Sequence, residues 1–313
     1  MKAVRFKGFG GPEVLETVDD KKPVANRDEL LIKVHSAGLN PIDAKIREGS
    51  SFVAKSLALP AGMGFDVCGE VEFCGEDISE FKQGDLVLGT VGRHNNPSAY
   101  SEYCVGREVD LIILPKELDS KSAGGIPIAS LTAWQALFDH GQLKEGEKVL
   151  IHAGAGGVGH FAVQFAKWSK AYVVVTASEN NHAFLKELGV DELVDYNKEN
   201  FEEKVRDVDL VIDLVGGDVG CKSFQCLKKE GRLVTVPTVT ADKVLKVGLE
   251  KGHKAMGMLA GTEKGDLKKI TDLMAKKDVT LCVSARFSLD QAAEAHKMLE
   301  ERHTQGKIVL VVE

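Results

Sequence analysis

The glycine-rich segment Gly154-Ala155-Gly156-Gly157-Val158-Gly159 constrains the fold of this chain more than any other part of its sequence. It follows the apolar run 148–152, which is typical of a buried strand, and it opens a segment whose apolar residues recur at helical spacing. Between a strand and a helix, this pattern permits a tight turn, close approach of the backbone to a pyrophosphate and close helix–strand packing. The helix N-terminus adds unpaired N–H groups that attract phosphates. The sequence therefore predicts a dinucleotide-binding turn, with a ligand-free glycine turn as the alternative.

Predicted strands and amphipathic helices alternate from about residue 122 onward, which is the pattern of a parallel sheet covered by helices on both faces. Residues 1 to about 115 are predicted to be mostly β, as a small, strongly curved lobe. The strands expected after the glycine turn are 172–176, 192–195, 209–214, 232–236, 254–259 and 280–283, with a last strand at 307–312 that returns to the first lobe. The helices expected there are 158–169, 182–188, 201–205, 219–228, 264–276 and 290–300.

The overall composition excludes several classes of protein. With 313 residues, of which 43% are hydrophobic and 28% charged, the chain fits a folded protein of two lobes. A net charge of −7 and a pI of about 5.8 argue against a nucleic-acid partner, because phosphate binding needs clustered Lys and Arg. No apolar stretch reaches the length of a membrane span and the start lacks a secretory signal, so we expect a cytoplasmic protein without a membrane partner. The six cysteines form no CxxC pair and are expected to be free thiols, not zinc ligands.

The end of the second strand of the parallel sheet bears on which dinucleotide binds. An NAD site commonly places Asp or Glu there for the ribose 2′-OH, and this carboxylate would repel a 2′-phosphate. Here residues 175–178, at the end of the strand, are neutral, which favours NADP(H). Two observations argue against NADP(H): no arginine stands at this strand end to bind the 2′-phosphate, and the next residue is the acid Glu179. The candidate contacts to the 2′-phosphate are Ser178, His182 and Tyr196. The alternative for each is that it is an ordinary loop residue exposed to solvent.

Five segments of the chain are similar to a known superfamily. They are 38–45 (GLNPIDAK), 64–71 (GFDVCGEV), 131–137 (LTAWQAL), 153–159 (AGAGGVG) and 303–307 (HTQGK). Together they resemble the zinc-independent quinone oxidoreductase branch of the medium-chain dehydrogenase/reductase superfamily, and the resemblance covers nearly the whole chain. It implies an α/β fold in which a Rossmann-type doubly wound parallel sheet, residues 123–276, binds NADP. A β-rich, GroES-like catalytic domain would comprise residues 1–122 and 277–313.

The resemblance also bears on metal chemistry. Zinc-dependent alcohol dehydrogenases of this superfamily hold the metal with a Cys where this chain has Asn40 and a His where it has Phe65. Asparagine is a poor zinc ligand and phenylalanine is none, so we expect no catalytic zinc. Without a Lewis acid, alcohol oxidation loses its main stabilisation of charge on oxygen. The expected activity is therefore hydride transfer from NADPH to a small quinone or an α,β-unsaturated carbonyl, which delocalises the charge itself.

The same resemblance implies roles for four residues. Asn40 would face the nicotinamide and the substrate carbonyl, Lys45 would reach the nicotinamide ribose, and Thr132 would lie beside the nicotinamide ring. Asp43 is expected to orient Lys45 or the turn rather than to act as an acid. If the resemblance is set aside, the sequence alone indicates that Asn40 is a turn residue and that Lys45 is a solvent-exposed lysine on a helix. No general acid stands out, so water is the expected proton source.

Further candidates follow from the positions of the predicted strand ends. Open α/β sheets bind ligands at the carboxyl ends of their strands. Two pairs of residues lie at such strand ends, Leu214 and Val215, and Pro237 and Thr238, so their backbone is expected to line the nicotinamide pocket. Lys307 is a candidate contact to the cofactor phosphates, with plain solvation as the alternative.

The sequence leaves two other functions open and also bears on the assembly of the protein. An NADPH-binding protein without significant turnover, as among crystallin relatives, and an enoyl-thioester reductase are the alternative functions. A homodimer that pairs the parallel sheets near 254–259 is expected by analogy with the family.

The loops 50–59 and 93–99 are expected to shape the substrate pocket. The histidines at 35, 94 and 296 are expected to be surface or locally bonded residues.

Overall fold

The structure is a computed structural model that describes residues 1–92, 98–301 and 304–312. It divides into two compact units. The first unit comprises Met1–Ala129, Thr262–Lys277 and Leu281–Glu313, and the second comprises Ser130–Gly261 and Asp278–Thr280. Both ends of the chain therefore belong to the first unit, and the glycine turn belongs to the second.

The described strands have the following bounds. In chain order they are β1 (Lys2–Arg5), β2 (Glu16–Asp19), β3 (Glu29–Gly38), β4 (Asp66–Cys74), β5 (Leu86–Thr90), β6 (Tyr103–Arg107), β7 (Leu111–Ile113), β8 (Lys148–His152), β9 (Tyr172–Ala177), β10 (Glu192–Asp195), β11 (Val208–Asp213), β12 (Leu227–Thr235), β13 (Lys254–Gly257), β14 (Val283–Phe287) and β15 (Lys307–Val311).

The described α-helices are mostly short. They are α1 (Pro41–Arg47), α2 (Ser120–Ala123), α3 (Pro127–Trp134), α4 (Gly159–Trp168), α5 (His182–Glu187), α6 (Phe201–Lys204), α7 (Gly217–Ser223), α8 (Ala241–Glu250), α9 (Lys264–Ala275) and α10 (Ala292–Glu300). A π-helical segment, Gln135–His140, follows α3. None of these helices combines the length and apolar character needed to cross a membrane.

The second unit is built on a parallel sheet. Within the described residues this sheet has six strands in the order β10-β9-β8-β11-β12-β13, and every neighbouring pair is parallel. The chain thus runs outward from β8 in one direction and from β11 in the other, which is the doubly wound order. The central strands are apolar on both faces, as a sheet covered on both sides requires, and Val149, Leu150 and Ile151 are fully buried.

The first unit is a mainly antiparallel β structure. Its larger described sheet has the order β14-β15-β3-β4-β5-β7, with β6 also paired to β3, and β1 and β2 form a separate pair. The last strand, β15, pairs antiparallel with β3, with Val309 opposite Gly38. The prediction that the chain's end returns to the first lobe is therefore confirmed.

Most predicted elements are confirmed, one predicted strand is displaced and one helix was missed. The strands predicted at 148–152 and 192–195 are β8 and β10, residue for residue. The strand predicted at 280–283 lies further along the chain as β14, because the Thr280 N–H donates to the Gln164 side chain (2.8 Å) and pairing with β15 starts at Val283. Helix α8 was not predicted. The signal was present, because Ala241, Val244, Leu245 and Gly248 recur at helical spacing, and Val244 and Gly248 are buried.

The segment Thr262–Lys277 lies in the first unit, whereas the predicted division put residues up to 276 in the nucleotide-binding domain. Polar contacts explain the difference. Thr262 Oγ1 donates to the Asp110 carboxylate (3.1 Å), and Lys264 Nζ donates to Glu80 (2.7 Å). These hydrogen bonds join the beginning of α9 and the residues just before it to the first unit.

Candidate functional site

The turn between β8 and α4 requires glycine at two positions for its own packing. A Cβ at Gly154 would lie 2.3 Å from a methyl carbon of Val175, and a Cβ at Gly159 would lie 2.2 Å from the carbonyl oxygen of Ala153. Both distances are far below any van der Waals contact. These two glycines therefore let the strand turn tightly and let the helix begin close to the turn.

Gly156 differs from these two glycines because space is open beside it. A Cβ there would meet only the Ala153 carbonyl oxygen, at 3.4 Å. Gly156, Gly157 and Val158 are half-buried, and the N–H groups of Gly157 and Val158 donate to no acceptor in the described part of the chain. The open side of the turn thus combines free N–H donors with room for a ligand, and it fits the pyrophosphate of a dinucleotide.

The end of β9 contains an ion pair that the sequence analysis missed. The Glu179 carboxylate accepts a hydrogen bond from Lys198 Nζ at 2.6 Å, and Lys198 also lies 4.0 Å from Asp195. Lys198 follows β10, and β9 and β10 are parallel neighbours, with Asp195 opposite Ala177. A basic residue soon after the third strand of the sheet was the signal that could have revealed it. The acid that argued against NADP(H) is therefore paired with a cation.

The three predicted contacts to a 2′-phosphate lie on this same part of the second unit. Ser178 directly follows β9 and accepts a hydrogen bond from Asn181 Nδ2 at 3.1 Å. His182 begins α5, and its buried Nε2 has no partner among the described residues. Tyr196 directly follows β10 and is 54% exposed. All three follow the carboxyl ends of adjacent parallel strands, and their role at a phosphate stays a prediction.

A buried carboxylate, Asp213, orders the segments that follow β11 and β12. Its Oδ1 accepts from the backbone N–H groups of Val215 (3.0 Å) and Gly216 (2.7 Å), and its Oδ2 accepts from Thr235 Oγ1 (2.8 Å). The Asp213 carboxylate therefore joins the ends of β11 and β12. The candidate backbone positions follow these two ends, Leu214 and Val215 after β11, and Pro237 and Thr238 after β12. Their contact with a nicotinamide stays a prediction. Asp213 itself was missed, although an acid closing an apolar strand was a usable signal.

Thr132 and Lys45 belong to different units. Thr132 lies on α3 in the second unit, is 5% exposed and has polar contacts of its own. Lys45 lies on α1 in the first unit and is half-buried, and its ammonium group has no hydrogen-bond or ion-pair partner among the described residues. Their predicted places beside the nicotinamide ring and its ribose stay predictions.

The first unit contains a buried polar cluster, which we define as Asn40, Asp43, Asp66, Tyr100 and Lys307. All five side chains are at most 3% exposed. Asn40 precedes α1, and its backbone N–H donates to Asp43 Oδ2 at 2.8 Å. This is the contact of an acidic side chain that closes the first turn of a helix. Asp43 therefore orders the turn, and its carboxylate contacts Asn40 and Tyr100 rather than Lys45.

Both ends of the Asn40 side-chain amide are bonded within this cluster. Its Nδ2 donates to Asp66 Oδ2 at 2.8 Å, and its Oδ1 accepts from Lys307 Nζ at 2.6 Å. Lys307 Nζ also donates to the carbonyl oxygen of Leu39 (2.5 Å) and lies 4.0 Å from Asp66 Oδ2. The Lys307 ammonium group thus faces inward, which favours a role inside the first unit over the predicted contact with cofactor phosphates.

Burial shifts the protonation of this cluster. Loss of hydration raises the pKa of Asp43 to about 7 and that of Asp66 to about 6, with the Lys307 charge opposing the rise at Asp66. Burial also lowers the pKa of Lys307. The Tyr100 hydroxyl donates to Asp43 Oδ2 at 3.0 Å, whereas Asp43 Oδ1 has no partner among the described residues. The cluster therefore has two carboxyl groups and one amino group, and of the two acids Asp43 is the one whose protonated form burial favours more.

Metal binding finds little support in the described residues. Asn40 is bonded to Asp66 and Lys307, and Phe65 packs against the apolar core of the first unit. No group of three or more His, Cys, Asp or Glu side chains in the described ranges is arranged to hold a metal ion. The six cysteines are free thiols. Absence of catalytic zinc stays a prediction.

The histidines of the first unit that lie within the described residues are locally bonded. His35 Nδ1 is 3.0 Å from Ser120 Oγ, and His296 Nδ1 is 3.1 Å from Arg47 Nη1. Burial lowers the pKa of both imidazoles, that of His296 to about 3. His94 and most of the loop 93–99 lie outside the described residues, as does His303 in the last family segment.

Comparison with known proteins decides the family. A family model described as an alcohol dehydrogenase GroES-like domain matches residues 26–120, and one described as a zinc-binding dehydrogenase matches residues 188–310. A quinone oxidoreductase of Pseudomonas aeruginosa is 32% identical, with 99% of each chain covered. This chain belongs to the quinone oxidoreductase branch of the medium-chain dehydrogenase/reductase superfamily.

Two further known proteins are similar over nearly the whole of this chain. The chain is 32% identical to a chloroplastic NADPH-dependent alkenal/one oxidoreductase of Arabidopsis thaliana, over 99% of this chain and 79% of that protein. The solved structure of the quinone oxidoreductase from Coxiella burnetii is 44% identical, with a TM-score of 0.98, and covers 100% of this chain and 99% of its own. The predicted α/β fold, a Rossmann-type parallel sheet with a GroES-like β-rich part, is confirmed.

Proposed function

We propose that this protein is an NADPH-dependent reductase of small quinones or α,β-unsaturated carbonyl compounds. The observation that carries the proposal is the open glycine turn between β8 and α4, where free N–H groups adjoin room for a pyrophosphate. The relatives named quinone oxidoreductase and NADPH-dependent alkenal/one oxidoreductase support the same activity. The turn accounts for the dinucleotide, and the relatives supply the class of acceptor.

The reaction assigns distinct tasks to the chain's residues. When bound, NADPH supplies a hydride, two electrons with one proton, to the acceptor and leaves as NADP⁺, while water supplies the second proton. Asn40 donates an amide hydrogen bond to the acceptor oxygen that gains negative charge. Lys45 binds the nicotinamide ribose and Thr132 orients the nicotinamide ring, in the roles that the family implies.

The preference for NADPH over NADH is supported by charge. The single acid directly after Ser178 is Glu179, and Lys198 neutralises it at 2.6 Å. A 2′-phosphate placed near Ser178, His182 and Tyr196 would therefore meet hydroxyl and imidazole donors and a nearby lysine, instead of an unpaired carboxylate. This arrangement favours the phosphorylated cofactor.

A spectrophotometric panel tests the activity. Purified protein is mixed with NADPH and with ortho-quinones, para-quinones, short enones and enoyl thioesters, and the loss of absorbance of the reduced nicotinamide is followed. We expect turnover with quinones or enones. Tight NADPH binding without turnover would indicate a binding protein instead, and turnover confined to enoyl thioesters would indicate a thioester reductase.

Elemental analysis tests the proposed independence from zinc. After treatment with a chelator, the protein should contain no stoichiometric zinc and should retain its reductase activity. Activity that disappears with the metal and returns with added zinc would contradict the assignment of Asn40 and Phe65 as non-ligands.

We also propose a cytoplasmic homodimer, with no nucleic-acid partner, that pairs through β13. Within the described residues this strand is bonded on one side only, to β12, so its other edge is open. Apolar side chains are exposed on and near it, namely Met256 at 38% and Leu259 at 68%. Light scattering should give the mass of a dimer for the wild type and of a monomer for Met256→Lys. A wild-type monomer would contradict the proposal.

A further inference from the structure

We propose that Lys307 is a positioning residue for Asn40, whose amide oxygen it holds inward so that Asn40 meets the acceptor only as a hydrogen-bond donor. The inference rests on the proposed function, which places Asn40 against the acceptor oxygen. It replaces the predicted role of Lys307 at the cofactor phosphates with a role at the reacting end of the molecule.

The fold delivers Lys307 to Asn40 from the far end of the chain. Lys307 begins β15, which pairs antiparallel with β3, and β3 ends at Gly38, two residues before Asn40. The Lys307 side chain is 3% exposed. Its ammonium group donates to Asn40 Oδ1 (2.6 Å) and to the Leu39 carbonyl oxygen (2.5 Å), so it binds both the side chain and the backbone at this position.

The chemistry of the two partners permits only one orientation of the Asn40 amide. An ammonium group can only donate hydrogen bonds and a carboxylate can only accept them. The amide oxygen must therefore face Lys307, and the amide nitrogen must face Asp66, at 2.8 Å. A flipped amide would place N–H against ammonium and oxygen against carboxylate, with both contacts repulsive.

This fixed orientation leaves one defined group for the substrate. One hydrogen of Asn40 Nδ2 is donated to Asp66, and the other has no acceptor among the described residues. Donors that are already oriented toward developing charge stabilise a transition state without reorganising. An amide free to rotate would instead present its oxygen to the acceptor oxygen for part of the time. Lys307 thus increases the fraction of molecules in which Asn40 can donate a hydrogen bond to the acceptor oxygen.

The first test compares Lys307→Met with the wild type. Methionine keeps the length and apolar stem of lysine but cannot donate. With a quinone that the wild type reduces, we expect kcat to fall at least tenfold, while the Kd for NADPH, measured by fluorescence titration without an acceptor, stays within twofold. A tenfold weaker Kd for NADPH with unchanged kcat would place Lys307 at the cofactor phosphates and would overturn the inference.

A second variant separates positioning from charge balance. Lys307→Met leaves Asp66 without its cation, and an unpaired buried charge destabilises a fold. The double variant Lys307→Met/Asp66→Asn removes both charges. We expect its thermal unfolding temperature to rise above that of Lys307→Met while kcat stays low. Recovery of wild-type kcat in the double variant would mean that Lys307 only balances Asp66, and the inference would be wrong.

A double-mutant cycle tests whether Lys307 acts through Asn40. Asn40→Ala should lower kcat, and adding Lys307→Met should then change kcat less than twofold. Arg47→Met is the matched control, because Arg47 is a fully buried cation of the same unit that binds His296 and the Gly10 carbonyl oxygen. Its effect on kcat should be the same with and without Asn40. Independent, multiplying effects of Lys307→Met and Asn40→Ala would contradict the inference.

The outcomes also distinguish this inference from the proposed function. A wild-type protein that reduces no quinone or enone would overturn both. An active wild type whose kcat is matched by Lys307→Met would overturn only the role of Lys307, and the proposed reductase activity would stand.

Discussion

The glycine turn and the buried polar cluster are two kinds of site within one chain. The turn is made by backbone from six consecutive residues, 154–159, and its donors are N–H groups fixed by the fold. The cluster is made by side chains, and Asn40 and Lys307 in it are 267 residues apart. The turn needs side chains to be absent at its glycines, whereas the cluster needs a particular side chain at each of its five positions.

This difference separates what substitutions do in each place. Only a substitution by proline removes a backbone donor, so most substitutions disturb the turn by adding atoms, either on its open side or against its packed side. The cluster is disturbed by removing a single charge or donor, because each buried polar group depends on the others. We therefore expect substitutions on the open side of the turn, at Gly156, to affect binding without affecting stability. Substitutions in the cluster should change protonation, stability and catalysis together.

The largest effect is expected from a side chain placed in the turn. A Cβ at Gly156 meets only the Ala153 carbonyl oxygen, at 3.4 Å, so we expect Gly156→Val to fold normally. The added side-chain atoms block the approach of the pyrophosphate. We expect the Kd for NADPH to rise at least a thousandfold, about 4 kcal/mol, by isothermal titration calorimetry.

Gly159→Ala is the matched control for this substitution. Its Cβ would lie 2.2 Å from the Ala153 carbonyl oxygen, so the backbone must shift. We expect the free energy of unfolding to fall by about 1–3 kcal/mol. If Gly156→Val unfolds at as low a temperature as Gly159→Ala, the loss of binding reflects damage to the fold, and the distinction between the two glycines is wrong.

The same contrast explains what sequence reasoning could predict. Strands β8 and β10 and the glycine turn depend on consecutive residues, and their pattern is visible in a short window. The cluster depends on the pairing of β15 with β3, which a single sequence does not specify. For this reason Asn40 was a candidate only through the family, and the sequence did not indicate that Lys307 lies beside it.

Residues missed at the site follow the same rule. Asp66 and Tyr100 join the cluster through strand and loop packing far from Asn40 in sequence. Lys198 becomes relevant only because β10 lies beside β9 in the sheet. In each case the missing information was which distant segments of the chain are neighbours in the fold.

The next effect concerns protonation of the cluster. Burial raises the pKa of Asp43 from 3.8 to about 7. The folded protein therefore keeps a proton that the unfolded chain releases, and this contribution to stability is complete below about pH 4 and lost as the pH rises to about 7. We expect Asp43→Asn to gain stability relative to the wild type across this interval, by about 1 kcal/mol per pH unit, in chemical denaturation.

Asp218 provides a control of opposite sign. A hydrogen bond from Lys243 lowers the pKa of this exposed carboxylate. A lowered pKa adds stability above the unfolded value and loses it as the pH falls. Asp218→Asn should therefore differ from the wild type more at pH 7 than at pH 3, with the wild type more stable. A difference between Asp43→Asn and wild type that is constant from pH 4 to pH 7 would show that Asp43 does not titrate in this range.

The smallest effect is expected at the ion pair that follows β9 and β10. Lys198→Ala leaves the Glu179 carboxylate unpaired beside the predicted site of the 2′-phosphate. We expect the Kd for NADPH to rise about tenfold, about 1.4 kcal/mol, and the Kd for NADH to stay unchanged, because only NADPH has the repelled phosphate. In the wild type NADPH should bind at least tenfold more tightly than NADH, and equal affinities would refute the assignment of Ser178 and His182.

Three further variants decide whether this effect comes from the local carboxylate. Glu179→Gln removes the acid and leaves Lys198 free, so it should bind NADPH at least as tightly as the wild type, and Glu179→Gln/Lys198→Ala should recover part of the tenfold loss. Lys243→Ala removes an equally exposed lysine of the same unit, which pairs with Asp218. It should leave both affinities unchanged. A loss as large in Lys243→Ala would mean that NADPH responds to net charge alone, and the charge at the ends of β9 and β10 would have no particular role.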